Sequence, residues 1–378
     1  MSGHPSGAPV AAAHVAHLDM LRGAAALVVL VTHLRGFLLV DFHQTVGEIG
    51  PLGSAFYFLT GLGQQAVMLF FVLSGLFIYG AIQRAEARGA WSWGGYAVDR
   101  LSRLWVVLIP ALLLTLFWDS VGRSLSSAVL YRNDEGGLLP LDPITLAGNL
   151  LFLNTVVVES YGSSLQLWSL ANEFWYYLLF PLWLFGLARR NPLMLVAAAA
   201  LTFTLPFEIR FLFPVWLMGA ALHELHRRGW GRRWAASRPF LWGSALLFLV
   251  VLALSRFHLF PLMVKEYAVG LSASAMIYAL LHAESPTRER YRRFAGWLSG
   301  ISYTLYLSHL ALIVALASIL LEGQRLPLTV GSFAAFVALL LLCLAYAHLL
   351  HHLFERHTGR VRRWLRSRLN RPSGREGC

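Results

Sequence analysis

Long apolar runs recur along almost the whole chain, and short segments rich in arginine separate them. An α-helix needs about 20 mostly apolar residues to cross the hydrocarbon core of a bilayer. Ten runs approach that length, and each predicts a transmembrane helix. They cover residues 22–41, 62–82, 101–118, 167–187, 193–206, 208–223, 240–256, 266–282, 297–320 and 328–352.

A further apolar stretch, 144–158, is interrupted by Asn149 and Asn154. We expect a re-entrant or interfacial segment there and not an eleventh span. An eleventh span would reverse every later segment and would place the basic clusters of the C-terminal half outside the cell, against the positive-inside rule.

The composition agrees with a membrane protein. Of the 378 residues, 57% are hydrophobic and 13% are charged, and the mean hydropathy is +0.59. Soluble domains carry about 25% charged residues. We therefore predict an all-α fold, a polytopic bundle of about ten transmembrane helices. The two cysteines, Cys343 in an apolar run and Cys378 at the end of the sequence, provide no disulfide framework.

The basic residues give the bundle an orientation. With a cytoplasmic N-terminus and ten spans, every cytoplasmic segment carries arginine and most of the 31 lysines and arginines fall on that side. Both termini are then cytoplasmic. The C-terminal segment is basic enough to suggest nucleic acid, but we favour the anionic membrane surface as its partner. The expected parts are a disordered tail (1–17), a membrane domain (18–355) and a basic cytoplasmic tail (356–378).

Arg22 and His33 interrupt the first apolar run and stand eleven residues apart. Eleven residues make almost three helical turns, so both side chains share a face, about 16 Å apart along the axis. Asp19 falls close to the same face. Ionisable groups in a spanning helix are costly and usually face a bundle interior or a polar cavity. A functional histidine and one satisfied by a neighbouring helix are equally consistent with this pattern.

The fourth span carries a polar face. Ser169, Glu173, Tyr176 and Tyr177 follow the spacing i, i+4, i+7 and i+8, which places them together on a helix. A glutamate at that depth must be paired, protonated or hydrated. A purely structural pairing is the alternative to a role in catalysis.

The ninth span carries a second polar face. Ser299, Ser302, Tyr306 and His309 are spaced by three, four and three residues. Serines and tyrosines often only hold membrane helices together. The histidine near mid-membrane favours a further role, and Tyr306 joins Tyr176 as a candidate for substrate binding.

Two more segments suggest a donor site. Arg100 and Arg103 share a helix face at the cytoplasmic boundary, where they are either ordinary membrane anchors or a clamp for phosphate groups. Ser74 and Gly75 lie in the second span, and the glycine admits a neighbouring backbone or a narrow ligand.

A metal site is not expected, because no carboxylate or cysteine completes a ligand set with His348, His351 and His352 on their helix face. A transporter would also use buried ionisable groups, but no pair of broken helices or inverted repeats is visible. A phosphate clamp facing the cytoplasm and polar groups at mid-membrane suit a group-transfer enzyme whose two substrates arrive from opposite sides.

Six segments follow one another along the chain: LDMLRG with a histidine eleven residues after its arginine, FFVLSG, RLSRLW, LWSLANEFWYYLLFP, ISYTLYLSH and FER. In order and spacing they resemble the integral-membrane acyltransferases of the type three acyltransferase family, which O-acylate bacterial cell-surface and exported sugars. The resemblance runs from about Leu18 to Glu355. It departs from the family pattern at Met20, Pro110 and His357, which concerns local backbone geometry more than chemistry.

The resemblance implies roles for the candidate residues. It makes His33, Glu173 and His309 catalytic and requires no metal. The donor would be acyl-coenzyme A, with acetyl as the expected acyl group. Its binding residues would be Arg22, Ser74, Gly75, Arg100 and Arg103.

We therefore expect a multi-pass O-acyltransferase of the bacterial inner membrane that acylates a hydroxyl of a cell-surface or exported saccharide or lipid-linked glycan. His33 would act as general base, oriented by Glu173, or would itself carry the acyl group. The alternatives are a transporter or flippase of a lipid-linked sugar, and an acyltransferase acting on a small-molecule natural product. Acceptor specificity is expected in the outer loops 42–62 and 119–166.

Overall fold

The computed structural model describes residues 15–45, 49–257, 264–284 and 288–369. Within these ranges the chain forms helices and no β-strand, which confirms the all-α prediction. The helices are α1 (Val15–Leu38), α2 (Phe42–Thr45), α3 (Pro51–Leu59), α4 (Gly63–Ala87), α5 (Trp93–Leu125), α6 (Pro143–Leu150), α7 (Leu167–Ala188), α8 (Pro192–Thr204), α9 (Phe207–Arg227), α10 (Arg232–Ala235), α11 (Arg238–Arg256), α12 (Val264–His282), α13 (Glu289–Leu321), α14 (Val330–Leu353) and α15 (Thr358–Leu369).

Each of the ten apolar runs lies mainly on one helix: α1, α4, α5, α7, α8, α9, α11, α12, α13 or α14. In the described part of the chain, six helical segments are long and apolar enough to cross a membrane, and α8 is a shorter apolar helix. The count of ten spans and the cytoplasmic placement of both termini stay predictions.

The stretch 144–158 does not continue as a helix. The eight-residue α6 ends at Leu150, and irregular turns follow. The Asn149 side chain hydrogen-bonds to the backbone of these turns. Its amide donates to the carbonyl of Glu159 at 2.9 Å, and its oxygen accepts from the backbone N–H of Tyr161 at 3.2 Å. The segment is therefore not one continuous helix, and its re-entrant or interfacial position stays a prediction.

Helices α1 and α13 form the central pair. They approach closely at Gly23, where a Cβ would lie 2.5 Å from the Leu298 side chain. The two helices run parallel, because Arg22 meets Ser299 at one end and His33 meets His309 at the other. A ten-span order requires this relative direction for its first and ninth spans.

Helices α4 and α9 cross at two glycines. A Cβ on Gly75 would overlap the Trp216 carbonyl, and one on Gly219 would overlap the Val72 carbonyl. Gly75 therefore serves helix packing, and its predicted role in donor binding stays a prediction. The close crossing also brings the Trp216 indole to Ser74, with Nε1 donating to Oγ at 3.0 Å.

The basic C-terminal segment is folded over part of its length. Helix α15 packs against α5, and Arg366 makes a 2.7 Å ion pair with Asp99. Up to residue 369 the predicted tail 356–378 therefore packs against the membrane domain, and its boundary stays a prediction. Its last part, 370–378, lies outside the described residues, as does most of the expected N-terminal tail.

Candidate active site

A cavity of about 540 Å³ lies between α1, α4, α5, α7, α13 and the start of α15. Its wall is apolar at the sides and carries charged groups at the end near α15. The predicted site residues that line it are Arg22, Ser74, Arg100, Arg103, Glu173 and Tyr306.

Arg103 is fixed by a carboxylate that the sequence analysis did not assign to the site. Its guanidinium donates to Glu355 Oε1 at 2.9 Å and stands 5.1 Å from the ring centre of Tyr303. The other oxygen of Glu355, a buried residue, accepts from the Thr304 hydroxyl at 2.6 Å. The glutamate of the FER segment was visible in the sequence, but nothing in its spacing indicated which arginine it would meet.

Arg22 and Arg100 complete the charged end. Arg22 donates to the Ser299 carbonyl at 3.2 Å and lies 3.8 Å from Asp19. Arg100 stands 5.8 Å from the ring centre of Tyr96, within cation–π range. In both arginines Nε is buried without a hydrogen-bond partner among the described residues. The two guanidinium groups thus add positive charge to the part of the cavity wall where Arg103 also lies.

Glu173 lies in the middle of the cavity and acts there as an acceptor. Its Oε1 accepts from the Ser74 hydroxyl and from the Tyr177 hydroxyl, both at 2.6 Å. Tyr177 is four residues after Glu173 and so lies above it on α7, whereas Tyr176 points to α9 and donates to the Ile209 carbonyl at 2.9 Å. Tyr177 lines the cavity, Tyr176 does not, and the role of Tyr176 in substrate binding stays a prediction.

The inner end of the cavity is closed by Tyr306. Its hydroxyl and that of Ser169 are 2.5 Å apart, and it also donates to the Gln166 carbonyl at 3.2 Å. The Phe70 ring packs edge-on against it at 5.9 Å. Beyond Tyr306, one helical turn along α13, stands His309, with ring centres 6.4 Å apart.

His33 and His309 form a stacked, hydrogen-bonded pair. His33 Nδ1 is 2.8 Å from His309 Nε2, and the rings are 5.1 Å apart at 16°. His309 Nδ1 lies 2.7 Å from the Leu305 carbonyl. Because a carbonyl only accepts, His309 carries its proton on Nδ1. In the neutral pair Nε2 of His309 then accepts from His33 Nδ1–H, which leaves a lone pair on His33 Nε2.

The structure thus gives His33 a different partner from the expected one. Glu173 is bound to Ser74 and Tyr177, while His309 takes the orienting position at His33. His309 is buried and His33 half-buried, and neither is among the residues that line the cavity. The periodic faces placed each group correctly on its own helix but could not tell which helices are neighbours.

The histidines near the end of α14 have partners of their own. His348 Nδ1 accepts from the Trp297 indole at 3.3 Å, and His351 Nδ1 is 3.2 Å from Glu355 Oε2. Over the described ranges, no group of three or more histidine, cysteine, aspartate or glutamate side chains is arranged to hold a metal ion.

Comparison with known proteins gives one match. Residues 15–348 fit the model of a family described as an acyltransferase domain, which confirms the family indicated by the sequence motifs. No curated protein and no solved structure matches the chain. The matched range contains Arg22, Arg100, Arg103, Glu173 and the histidine pair, and it ends before Glu355 and α15.

Proposed function

Because the chain belongs to the type three acyltransferase family and is a multi-pass membrane acyltransferase, we propose that it moves an acyl group from acyl-coenzyme A to a saccharide hydroxyl. The acyl group is acetyl, the acceptor a cell-surface or exported saccharide, and the location the bacterial inner membrane. One observation carries the proposal: a single cavity leads from an arginine-lined end to Tyr306, beside the histidine pair.

The charged end suits the donor. Coenzyme A carries its phosphates at one end and the thioester at the other, joined by a long flexible arm. Guanidinium groups bind phosphate with charge-assisted and often bidentate hydrogen bonds. Arg22 and Arg100, which line the charged end of the cavity, are the first candidates to receive the phosphates. The arm would follow the cavity past Ser74 and Glu173 towards Tyr306.

The histidine pair suits proton transfer. His33 Nε2 removes the proton of the acceptor hydroxyl, and the hydroxyl oxygen attacks the acyl carbon. The new C–O bond forms, the C–S bond breaks, and the proton passes from His33 to the departing thiolate. His309 supports this cycle as a positioning residue, because its Nε2 holds His33 in the tautomer whose Nε2 is free.

The test uses membranes that contain the full-length protein, labelled acetyl-coenzyme A and a saccharide acceptor fraction. His33→Ala should lower transfer by about 10²- to 10⁴-fold, the contribution of a positioned base. His352→Ala is the matched control, since this histidine is exposed on α14 and does not line the cavity. Label trapped on the wild-type protein, and absent from His33→Ala, would instead indicate an acyl-histidine route.

Two results would overturn the proposal. One is near-normal transfer by a correctly inserted His33→Ala protein. The other is movement of a lipid-linked sugar without consumption of acetyl-coenzyme A, which is what a transporter or flippase would produce.

A further inference from the structure

We infer that α15 is part of the donor site and that Arg362 binds a phosphate of the acyl donor. This inference rests on the proposed function and adds a residue to it. The first turns of α15 reach the cavity, where Thr358, Gly359 and Arg362 line the wall together with Arg22, Arg100 and Arg103. This helix lies beyond residue 348, where the family match ends.

The position of α15 is fixed by an ion pair. Arg366 binds Asp99 at 2.7 Å, and Asp99 directly precedes Arg100 on α5. Arg362 and Arg366 are four residues apart and therefore share a helix face. The contact that holds α15 against α5 thus also directs Arg362 to the mouth of the cavity.

The charge balance at the mouth makes Arg362 important. Arg22 and Arg103 are each matched by a carboxylate, Asp19 at 3.8 Å and Glu355 at 2.9 Å, so much of their charge is already offset. A donor with several phosphates needs positive charge in excess of these pairs. In the described part of the chain, Arg362 has no carboxylate within ion-pair distance, so it supplies such an excess.

The exposure of Arg362 fits this role. The side chain is exposed in the absence of a ligand, so it can move onto a phosphate without breaking a bond within the protein. The alternative is that Arg362, like other arginines of α15, only contacts the anionic membrane surface. Phosphate binding requires the arginine to lie on the cavity side of α15, whereas contact with the membrane surface does not.

The experiment compares Arg362→Ala with Arg360→Ala in the full-length protein. Arg360 is also exposed, but it lies two residues away, about 200° around the helix, and does not line the cavity. The donors are acetyl-coenzyme A and S-acetylpantetheine, which lacks phosphates. Arg362→Ala should raise KM for acetyl-coenzyme A about tenfold with little change in kcat, the loss expected for one charge-assisted hydrogen bond.

Two further results define the role. Arg362→Lys should recover most of the affinity, and KM for S-acetylpantetheine should be equal in all variants. Equal KM values for acetyl-coenzyme A in wild type and Arg362→Ala, or an equal rise in Arg360→Ala, would overturn the inference. Equilibrium binding of coenzyme A separates the two proposals: a wild-type protein that does not bind it refutes the donor itself, whereas equal binding by wild type and Arg362→Ala refutes only the role of Arg362.

Discussion

The molecule contains two histidine pairs with the same hydrogen-bond pattern and different surroundings. In one, His33 Nδ1 meets His309 Nε2 at 2.8 Å, and His309 Nδ1 meets the carbonyl four residues earlier. In the other, between α9 and α12, His226 Nδ1 meets His282 Nε2 at 3.2 Å, and His282 Nδ1 meets the Tyr278 carbonyl at 2.9 Å. A histidine pair is therefore not a catalytic site by its bonding pattern alone.

The surroundings separate the two pairs. The rings of His33 and His309 are stacked at 16°, whereas those of His226 and His282 are tilted at 64°. Neither pair lines the cavity, but the His309 ring stands 6.4 Å from the ring of Tyr306, which is a cavity residue. The first pair therefore adjoins a residue of the cavity, and the second lies at the ends of α9 and α12, where it joins two helices.

The largest predicted effect comes from breaking each pair in turn. His309→Leu removes the acceptor that fixes the His33 tautomer, so kcat should fall by about 10²- to 10⁴-fold while KM for the donor stays the same. His282→Leu removes the equivalent residue of the other pair and should leave kcat unchanged. Steady-state kinetics on both variants, with size-exclusion chromatography as a check on folding, makes the measurement.

A rescue distinguishes positioning from packing. The side-chain oxygen of glutamine can still accept from His33 Nδ1–H, so His309→Gln should recover much of the activity that His309→Leu loses. Loss of activity in His282→Leu equal to that in His309→Leu would contradict the distinction between the pairs.

The sequence was sufficient to predict where the helices lie along the chain and which residues form their polar faces. Apolar length alone located the ten helices that carry the predicted spans, and periodicity placed Arg22 and His33 on one side of α1. The sequence pattern did not show which helices pack together. A helix face is set by the spacing of nearby residues, whereas contacts between helices join residues that are far apart in the chain. The pairing of His33 with His309, separated by 276 positions, belongs to this second class.

Gly75 and Tyr176 show, for single residues, that the sequence pattern does not reveal which helices are neighbours. A glycine beside a polar face is compatible with a ligand or with a backbone, and only the position of α9 decides for the backbone. Tyr176 and Tyr177 differ by about 100° around α7, and both fall within the broad face that sequence spacing defines. The choice between them depends on where α9 packs, which the sequence pattern does not reveal.

An effect of intermediate size is predicted for a variant at the charged end of the cavity. Glu355→Gln replaces the carboxylate that holds Arg103 at 2.9 Å by a neutral amide, whose hydrogen bond is about half as strong. Arg103 should then be less well placed, and KM for acetyl-coenzyme A should rise up to about tenfold with kcat nearly unchanged, since the histidine pair is untouched. Glu289→Gln, at an exposed ion pair with Arg293, is the control.

A change in kcat without a change in KM would contradict this assignment. If Glu355→Gln lowered kcat and left KM the same, Glu355 would belong with the chemistry and the assignment of the charged end to donor binding would be wrong.

The smallest effect is expected from two tyrosines that precede the accepting histidines. Tyr306→Phe removes the hydroxyl bound to Ser169 and Gln166, at the junction of the cavity and the first pair. The ring remains in place, so activity should fall only a few-fold, in line with one neutral hydrogen bond. Tyr278→Phe removes the bond from Tyr278 to the Trp230 carbonyl beside the second pair and should leave activity unchanged. Because each variant loses one hydrogen-bonded tyrosine hydroxyl, both should lose some thermal stability. Only a difference in turnover then reports on the cavity, and equal turnover in the two variants would mean that the Tyr306 hydroxyl does not influence the path from the cavity to His33.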